Sequence, residues 1–270
     1  MTIINKKLNI NLKNKFIIVL LTLALIFIIA NFYRYYQNRT VYEYADWLIN
    51  YQGGFVRRGL IGEVLFQFYK LTKINLGFLI FLFVTSLYIL LFTSFIYFLK
   101  YLKRNWINLF IIFSPISILY PVMISKVVGR KEILFLAFFS LLALLISKIK
   151  PEKLILYITL FLPIILLSHA GMLFFLPYIL ILYFLANIKK SKTQISINTI
   201  PFLVITFVCV ILVFIFSGTD YHVTKICDSV QEFVASDCKT GGQIAWLKTS
   251  LEYQLNEKRN LDLVRFIRIL

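Results

Sequence analysis

The chain has 270 residues, 60% of them hydrophobic and only 15% charged, with a mean hydropathy of +0.83. Soluble domains carry roughly 25% charged residues, and no water-soluble fold of this size hides so much Leu, Ile and Phe in one core. A net charge of +17 raises the question of nucleic acid, but the cations sit in short loops without the chemistry that base or backbone recognition needs, so no nucleic-acid partner is expected.

The apolar residues come in runs. Runs of about 18 or more read as membrane spans. In lipid each span must satisfy its own backbone hydrogen bonds, which helices and closed barrels do; the alternation of a barrel is missing. The fold expected is therefore all-α, a polytopic helical membrane protein of about seven spans, near 16–32, 76–98, 106–123, 133–147, 154–168, 172–187 and 200–217. Residues 1–15 form a cytoplasmic N-terminus, 16–217 a transmembrane helical domain with an outer amphipathic segment at 33–75, and 218–270 a non-cytoplasmic tail.

Orientation follows from charge. The segments before the first span and after the second, fourth and sixth hold 13 basic residues and one acid, Glu152. The other side holds 16 basic and 11 acidic residues over much longer stretches. Short basic loops stay in the cytoplasm, which places the N-terminus there. The first span resembles a signal peptide, but Asn31-Phe32-Tyr33-Arg34-Tyr35-Tyr36 follows it, where a cleavage site needs small residues. Those aromatics read as an interfacial belt on an uncleaved span.

In the first outer segment, residues 41–52 (VYEYADWLINYQ) place apolar and aromatic residues at helical spacing. Gly53-Gly54 breaks the pattern, and residues 55–70 (FVRRGLIGEVLFQFYK) predict a second amphipathic helix. Both are expected to lie along the outer interface. Asp46 is a candidate general base or metal-linked carboxylate; its alternative is a solvated helix face beside Glu43. Gly53, Gly54, Gly59 and Gly62 fall within ten residues. Each glycine costs a helix about 1 kcal/mol relative to alanine, so a close approach of backbone to a ligand or another helix is expected there. Arg57 and Arg58 offer guanidinium forks suited to phosphate; alternatively they snorkel to lipid headgroups. Glu63 is a further candidate for substrate contact.

The third span contains Pro115 and Pro121, which are expected to kink it. The loop after it ends in Gly129-Arg130-Lys131-Glu132. Arg130 and Lys131 add positive charge to the same outer site, while Glu132 fits a helix start. Together, segments 33–75 and 125–132 carry nine basic and four acidic residues on the face where insertion alone predicts a deficit of cations. That surplus is the physical reason to expect an anionic ligand.

Residues 154–187, as one helix, would be roughly 50 Å long, too long for a hydrocarbon core of about 30 Å. Both flanks are basic, so the segment must turn back, at Ser168-His169-Ala170-Gly171. The result is a hairpin of short spans or a re-entrant pair. An intramembrane His169 is a functional candidate, or else a hydrogen-bonded loop residue. The last span exits outward into a tail with seven basic and seven acidic residues. The tail ends in LDLVRFIRIL, from which a further span and a longer protein are expected. Cys227 and Cys238 lie in this tail and are expected to pair in an oxidising compartment, a bridge worth about 3 kcal/mol in the chain-entropy picture. With His222 they lack the spacing of a metal site. No metal site is predicted, and whether a divalent metal is needed stays open.

An acid in a long first outer loop, arginines on that loop and a later one, and many short spans together resemble the C-type glycosyltransferase superfamily. They also resemble the membrane polymerases of bacterial O-antigens and capsules. The resemblance covers about residues 16–190 and is architectural. It implies a sugar carried on a polyprenyl phosphate or pyrophosphate, transferred at the outer side of the bacterial inner membrane. Asp46 would be the base, with His169 assisting; Arg57, Arg58 and Arg130 would hold the lipid phosphate. Two rivals stand beside it. A transporter or flippase of a lipid-linked saccharide predicts polar or ionisable residues at mid-membrane on several helices and a repeat; the spans hold almost no charge and no repeat is found. A non-catalytic assembly subunit predicts that no outer pocket unites Asp46, Arg57 and Arg130.

Overall fold

The computed structural model describes residues 12–99, 118–146, 148–188 and 199–249. Among these residues every regular element is a helix and none is a strand. Most of the predicted third span, including Pro115, lies outside the described residues, as do the basic loops at 100–104 and 189–192 and the tail beyond 249.

Helices α1 (Leu12–Gln37) and α3 (Leu76–Phe98) flank the outer segment, which contains α2 (Leu60–Thr72). Each of α1 and α3 holds a 23-residue stretch apolar and long enough to cross a membrane, about 35 Å at 1.5 Å per residue. One stripe of α1 (Leu21, Ala24, Ile28, Phe32) is buried, at helical spacing, as is a stripe of α3 (Ile80, Val84, Tyr88, Phe92). The two helices pack together. Phe16, Leu23, Ile26 and Phe27 on the other side of α1 are exposed, an apolar surface suited to lipid and costly in water. Helix α1 runs five residues past its predicted end, carrying the aromatic belt with it. Phe32, Tyr33 and Tyr36 gather around Phe81 of α3, with ring centroids 6.3, 5.6 and 5.9 Å away.

The later helices are shorter than the expected spans. They are α4 (Glu132–Leu145), α5 (Pro151–Leu166), α6 (Leu176–Ile188) and α7 (Thr199–Ile215). At 13 to 17 residues they are about 20–26 Å long, short of a hydrocarbon core of about 30 Å. Among the described residues two helices therefore qualify as spans, or three if α7 is joined to the segment Asp220–Phe233, from which it is bent by 95°. The expectation of seven full spans is corrected to that extent. Hydropathy averages over a backbone break, so an apolar run continues where the helix has stopped. The turn expected at 168–171 is present: α5 ends at Leu166, and a 3-10 turn at Ala170–Phe175 leads into α6.

The outer segment departs most from expectation. Residues 41–52 form no interfacial helix; Ala45–Leu48 make a single 3-10 turn, and Asp46, Trp47, Leu48, Ile49 and Asn50 are all buried. Helix α2 begins at Leu60 rather than at residue 55. The tail covers this segment and takes up its polar groups. Helix α8 (Asp220–Val230) and the chain after it dock on residues 39–58. Ala235 donates its backbone N–H to Arg39 O at 3.1 Å, Gln243 to Val41 O at 3.0 Å, and Arg57 donates to Phe216 O at 3.1 Å. Asn50 Nδ2 donates to Ser229 Oγ at 3.0 Å. Cys227 and Cys238 are joined as expected, with Cα atoms 5.9 Å apart, and both are buried inside this cap.

Two glycines allow backbones to meet. A Cβ on Gly62 would strike the carbonyls of Ile49 and Trp47, and one on Gly129 would strike the Glu43 carbonyl. The Gly129 approach is sealed by Trp47, whose Nε1 donates to Gly129 O at 2.6 Å. Gly129→Ala is expected to destabilise the protein by about 1–3 kcal/mol, the usual cost of overpacking. Chemical denaturation in detergent micelles measures it; an unchanged midpoint would mean that the two backbones do not touch.

Candidate functional site

The cap, the start of α4 and the turn after α5 line an open cavity of about 540 Å³. Four of the expected residues line it: Asp46, Arg58, Arg130 and His169. They come from the 3-10 turn at Ala45–Leu48, the loop before α2, the loop before α4, and the turn after α5.

Asp46 is 4% exposed and pairs with Lys131, whose Nζ lies 3.7 Å from Asp46 Oδ1. Lys131 is fully buried; its Nζ also donates to the Arg58 carbonyl at 2.9 Å and lies 5.9 Å from the Trp47 ring centroid. Burial alone would raise the Asp46 carboxyl, but the charges of Lys131, His169 and Arg58 outweigh it and hold the group below its ordinary range. Burial brings the Lys131 ammonium down to about 8, against the pull of Asp46. Lys131 thus stands behind the cavity as the counter-ion of Asp46, rather than as a free cation facing a ligand.

The adjacent arginines part company, because the backbone around them is turn, not helix. Arg58 reaches the cavity wall, where Nη1 donates to Gln243 Oε1 at 3.3 Å. Arg57 is fully buried on the other side, with Nη2 donating to Thr249 O at 2.9 Å. Burial and the neighbouring Arg58 lower its guanidinium to about 10. Neither arginine snorkels to the surface. Arg57 does not line the cavity and serves the seam between loop and tail. Glu63 is also outside: it accepts from the Tyr51 N–H at 2.7 Å and from Gln67 Nε2, bracing the turn at 51–54.

His169 begins the 3-10 turn at Ala170, its Nδ1 accepting from Gly171 N at 3.1 Å. That contact fixes the ring at the cavity edge and leaves Nε2 as its second polar atom. Arg130 is exposed and lies 3.9 Å from Glu132.

The expected surplus of cations does not appear as an unopposed patch. Glu43, Asp46 and Glu132 line the cavity with Arg58, Lys126 and Arg130, so carboxylates and cations share one space in equal number. Such a wall suits a ligand that is anionic at one point and rich in hydroxyls elsewhere, since guanidinium forks take phosphate oxygens and carboxylates accept from hydroxyls.

A second cavity of about 520 Å³ lies against the first. Its lining is largely apolar, with Leu91, Phe95, Ile133 and Phe175 among the contributors, and Arg130 and Glu132 belong to the walls of both. Among the described residues, no group of three or more His, Cys, Asp or Glu side chains is placed to hold a metal ion.

Sequence reasoning missed Tyr42, Lys126, Gln243 and Trp246 in the polar wall. Gln243 and Trp246 are about two hundred positions from Tyr42, and nothing local marks them. The one available signal was a tryptophan standing in an otherwise polar tail.

No protein-family model, curated protein or solved structure matches this chain.

Proposed function

We propose that the protein is a membrane glycosyltransferase or polymerase that uses a polyprenyl-phosphate-linked sugar to build a bacterial surface polysaccharide. The observation that carries this reading is the pair of cavities, one polar and one apolar, sharing Arg130 and Glu132 in their walls. A lipid-linked sugar is divided in the same way, with a hydrocarbon tail, a phosphate and a hydroxyl-rich head. The tail fits the apolar cavity, the phosphate falls at the shared wall beside Arg130, and the sugar enters the polar cavity toward Asp46. In this reading the chain lies in the bacterial inner membrane with its N-terminus in the cytoplasm, and the polar cavity opens on the opposite side.

The acceptor hydroxyl oxygen attacks the anomeric carbon, and the bond from that carbon to the phosphate oxygen breaks. The leaving phosphate takes the electron pair, and the acceptor proton passes to Asp46. Arg130 and Arg58 stabilise the developing negative charge, which in a low-dielectric site is the largest single contribution to rate. Asp46 is held ionised by Lys131, so the carboxylate needed to receive the proton is present at neutral pH. His169 at the cavity edge assists acceptor binding.

Arg130→Ala is expected to lower surface polysaccharide by about a hundredfold with protein levels in the membrane unchanged; Asp46→Asn is expected to lower it about as much per molecule of protein, measured against its membrane level because the exchange leaves the buried Lys131 ammonium without its counter-ion. Wild-type glycan from both variants would remove the proposal. A flippase reading predicts instead that purified protein with a polyprenyl-phosphate-linked sugar forms no glycosidic product while still moving that lipid between leaflets.

A further inference from the structure

Two aromatic rings, Tyr42 and Trp246, stand in the wall of the polar cavity and are exposed. Their ring centroids are 6.5 Å apart and their planes nearly perpendicular, at 84°. An interfacial belt would explain exposed aromatics facing lipid, but these two share their cavity with Glu43, Asp46, Arg58 and Gln243. Large flat apolar faces beside convergent hydrogen-bonding groups are the makings of a small-molecule subsite. The ligand that matches both is a pyranose, which presents a face of C–H groups to a ring and a rim of hydroxyls to polar side chains. The C–H face meets an aromatic quadrupole favourably, and little rotamer entropy is lost because each side chain has two χ angles.

The surrounding residues hold the pair in place. Gln243 is gripped from two sides: its backbone N–H donates to Val41 O at 3.0 Å, and its Oε1 accepts from Arg58 at 3.3 Å. Gly242 adopts a positive φ of 83°, and a Cβ there would strike the Val41 carbonyl. The tail is therefore pressed against the turn at residues 41–44, where Trp246 meets Tyr42. A ring brought from so far along the chain and fixed this closely is built to contact something in the cavity.

We infer that Tyr42 and Trp246 form an aromatic platform for a pyranose ring, with Gln243 and Glu43 contacting its hydroxyls. This rests on the transferase reading for the identity of the cavity, but it is separable by experiment. Full-length protein in lipid nanodiscs is mixed with a panel of methyl hexopyranosides and N-acetylhexosamines, and saturation-transfer NMR reads which sugar protons touch the protein. Wild type is expected to transfer magnetisation to the ring protons of at least one sugar. Trp246→Leu, which keeps an apolar side chain but removes the ring, lowers the affinity by about tenfold, whereas Trp246→Phe keeps most of it.

No signal from any sugar with wild type, or equal binding by Trp246→Leu, overturns the platform. If Trp246→Leu alone binds like wild type while Asp46→Asn abolishes surface glycan, the platform fails and the transferase reading stands. If the sugars bind through Trp246 while Asp46→Asn and Arg130→Ala leave glycan intact, the platform stands and the transferase reading fails.

Discussion

Lys131→Met is expected to destabilise the protein by about 3–5 kcal/mol, the cost of leaving one partner of a buried ion pair without the other. Lys131 is fully buried and Asp46 is 4% exposed, so water cannot screen the carboxylate once its counter-ion is gone. The Arg58 carbonyl loses its donor in the same stroke, adding the penalty of an unsatisfied buried acceptor. Methionine fills nearly the same volume, so packing contributes little to the loss. The double variant Asp46→Asn with Lys131→Met removes both charges and is expected to recover most of the stability, since a buried pair is often replaceable by neutral groups of similar shape. Denaturant titration of the three variants in detergent closes the cycle. Losses that simply add would show that Asp46 and Lys131 do not interact.

Removing the Cys227–Cys238 bridge by serine substitution is expected to cost about 3 kcal/mol, and the loss falls on the cap. The bridge ties α8 to the chain that carries Gln243 and Trp246. Without it the tail pays more entropy to stay folded over residues 39–58, and local opening becomes easier there than in the membrane helices. Amide exchange reads this directly. The Ala235 and Gln243 amides, which donate across the seam to Arg39 and Val41, are expected to exchange about a hundredfold faster, the equivalent of that free energy. Amides in the middle of α3 keep their protection. Equal protection at Gln243 with and without the bridge would mean that the tail is held by its other contacts alone.

The candidate site was partly legible. Asp46, Arg58, Arg130 and His169 stood out because ionisable residues beside membrane spans are costly and therefore conspicuous. Which of two adjacent arginines would face the cavity was not legible. Periodicity assigns faces in a helix, and residues 55–59 are not helical. Lys131 is read from sequence as a further cation for a ligand; its pairing with Asp46 arises from a contact between residues 85 positions apart. The glycines at 59 and 62 were read as marking a close approach, and Gly62 does meet the Ile49 carbonyl. What approached was this chain's own backbone.

Local composition was sufficient for the helical class, the two long apolar helices, the break at His169 and the pairing of the two tail cysteines. Each depends on neighbouring residues: a run of apolar side chains, a basic flank, a loop short enough to close. The tail folding back over residues 39–58, the breaks that shorten the later helices, and the meeting of Tyr42 with Trp246 depend on distant segments competing for the same surface. A segment that looks amphipathic alone will abandon its helix when a partner buries both of its faces, and only the folded arrangement supplies that partner.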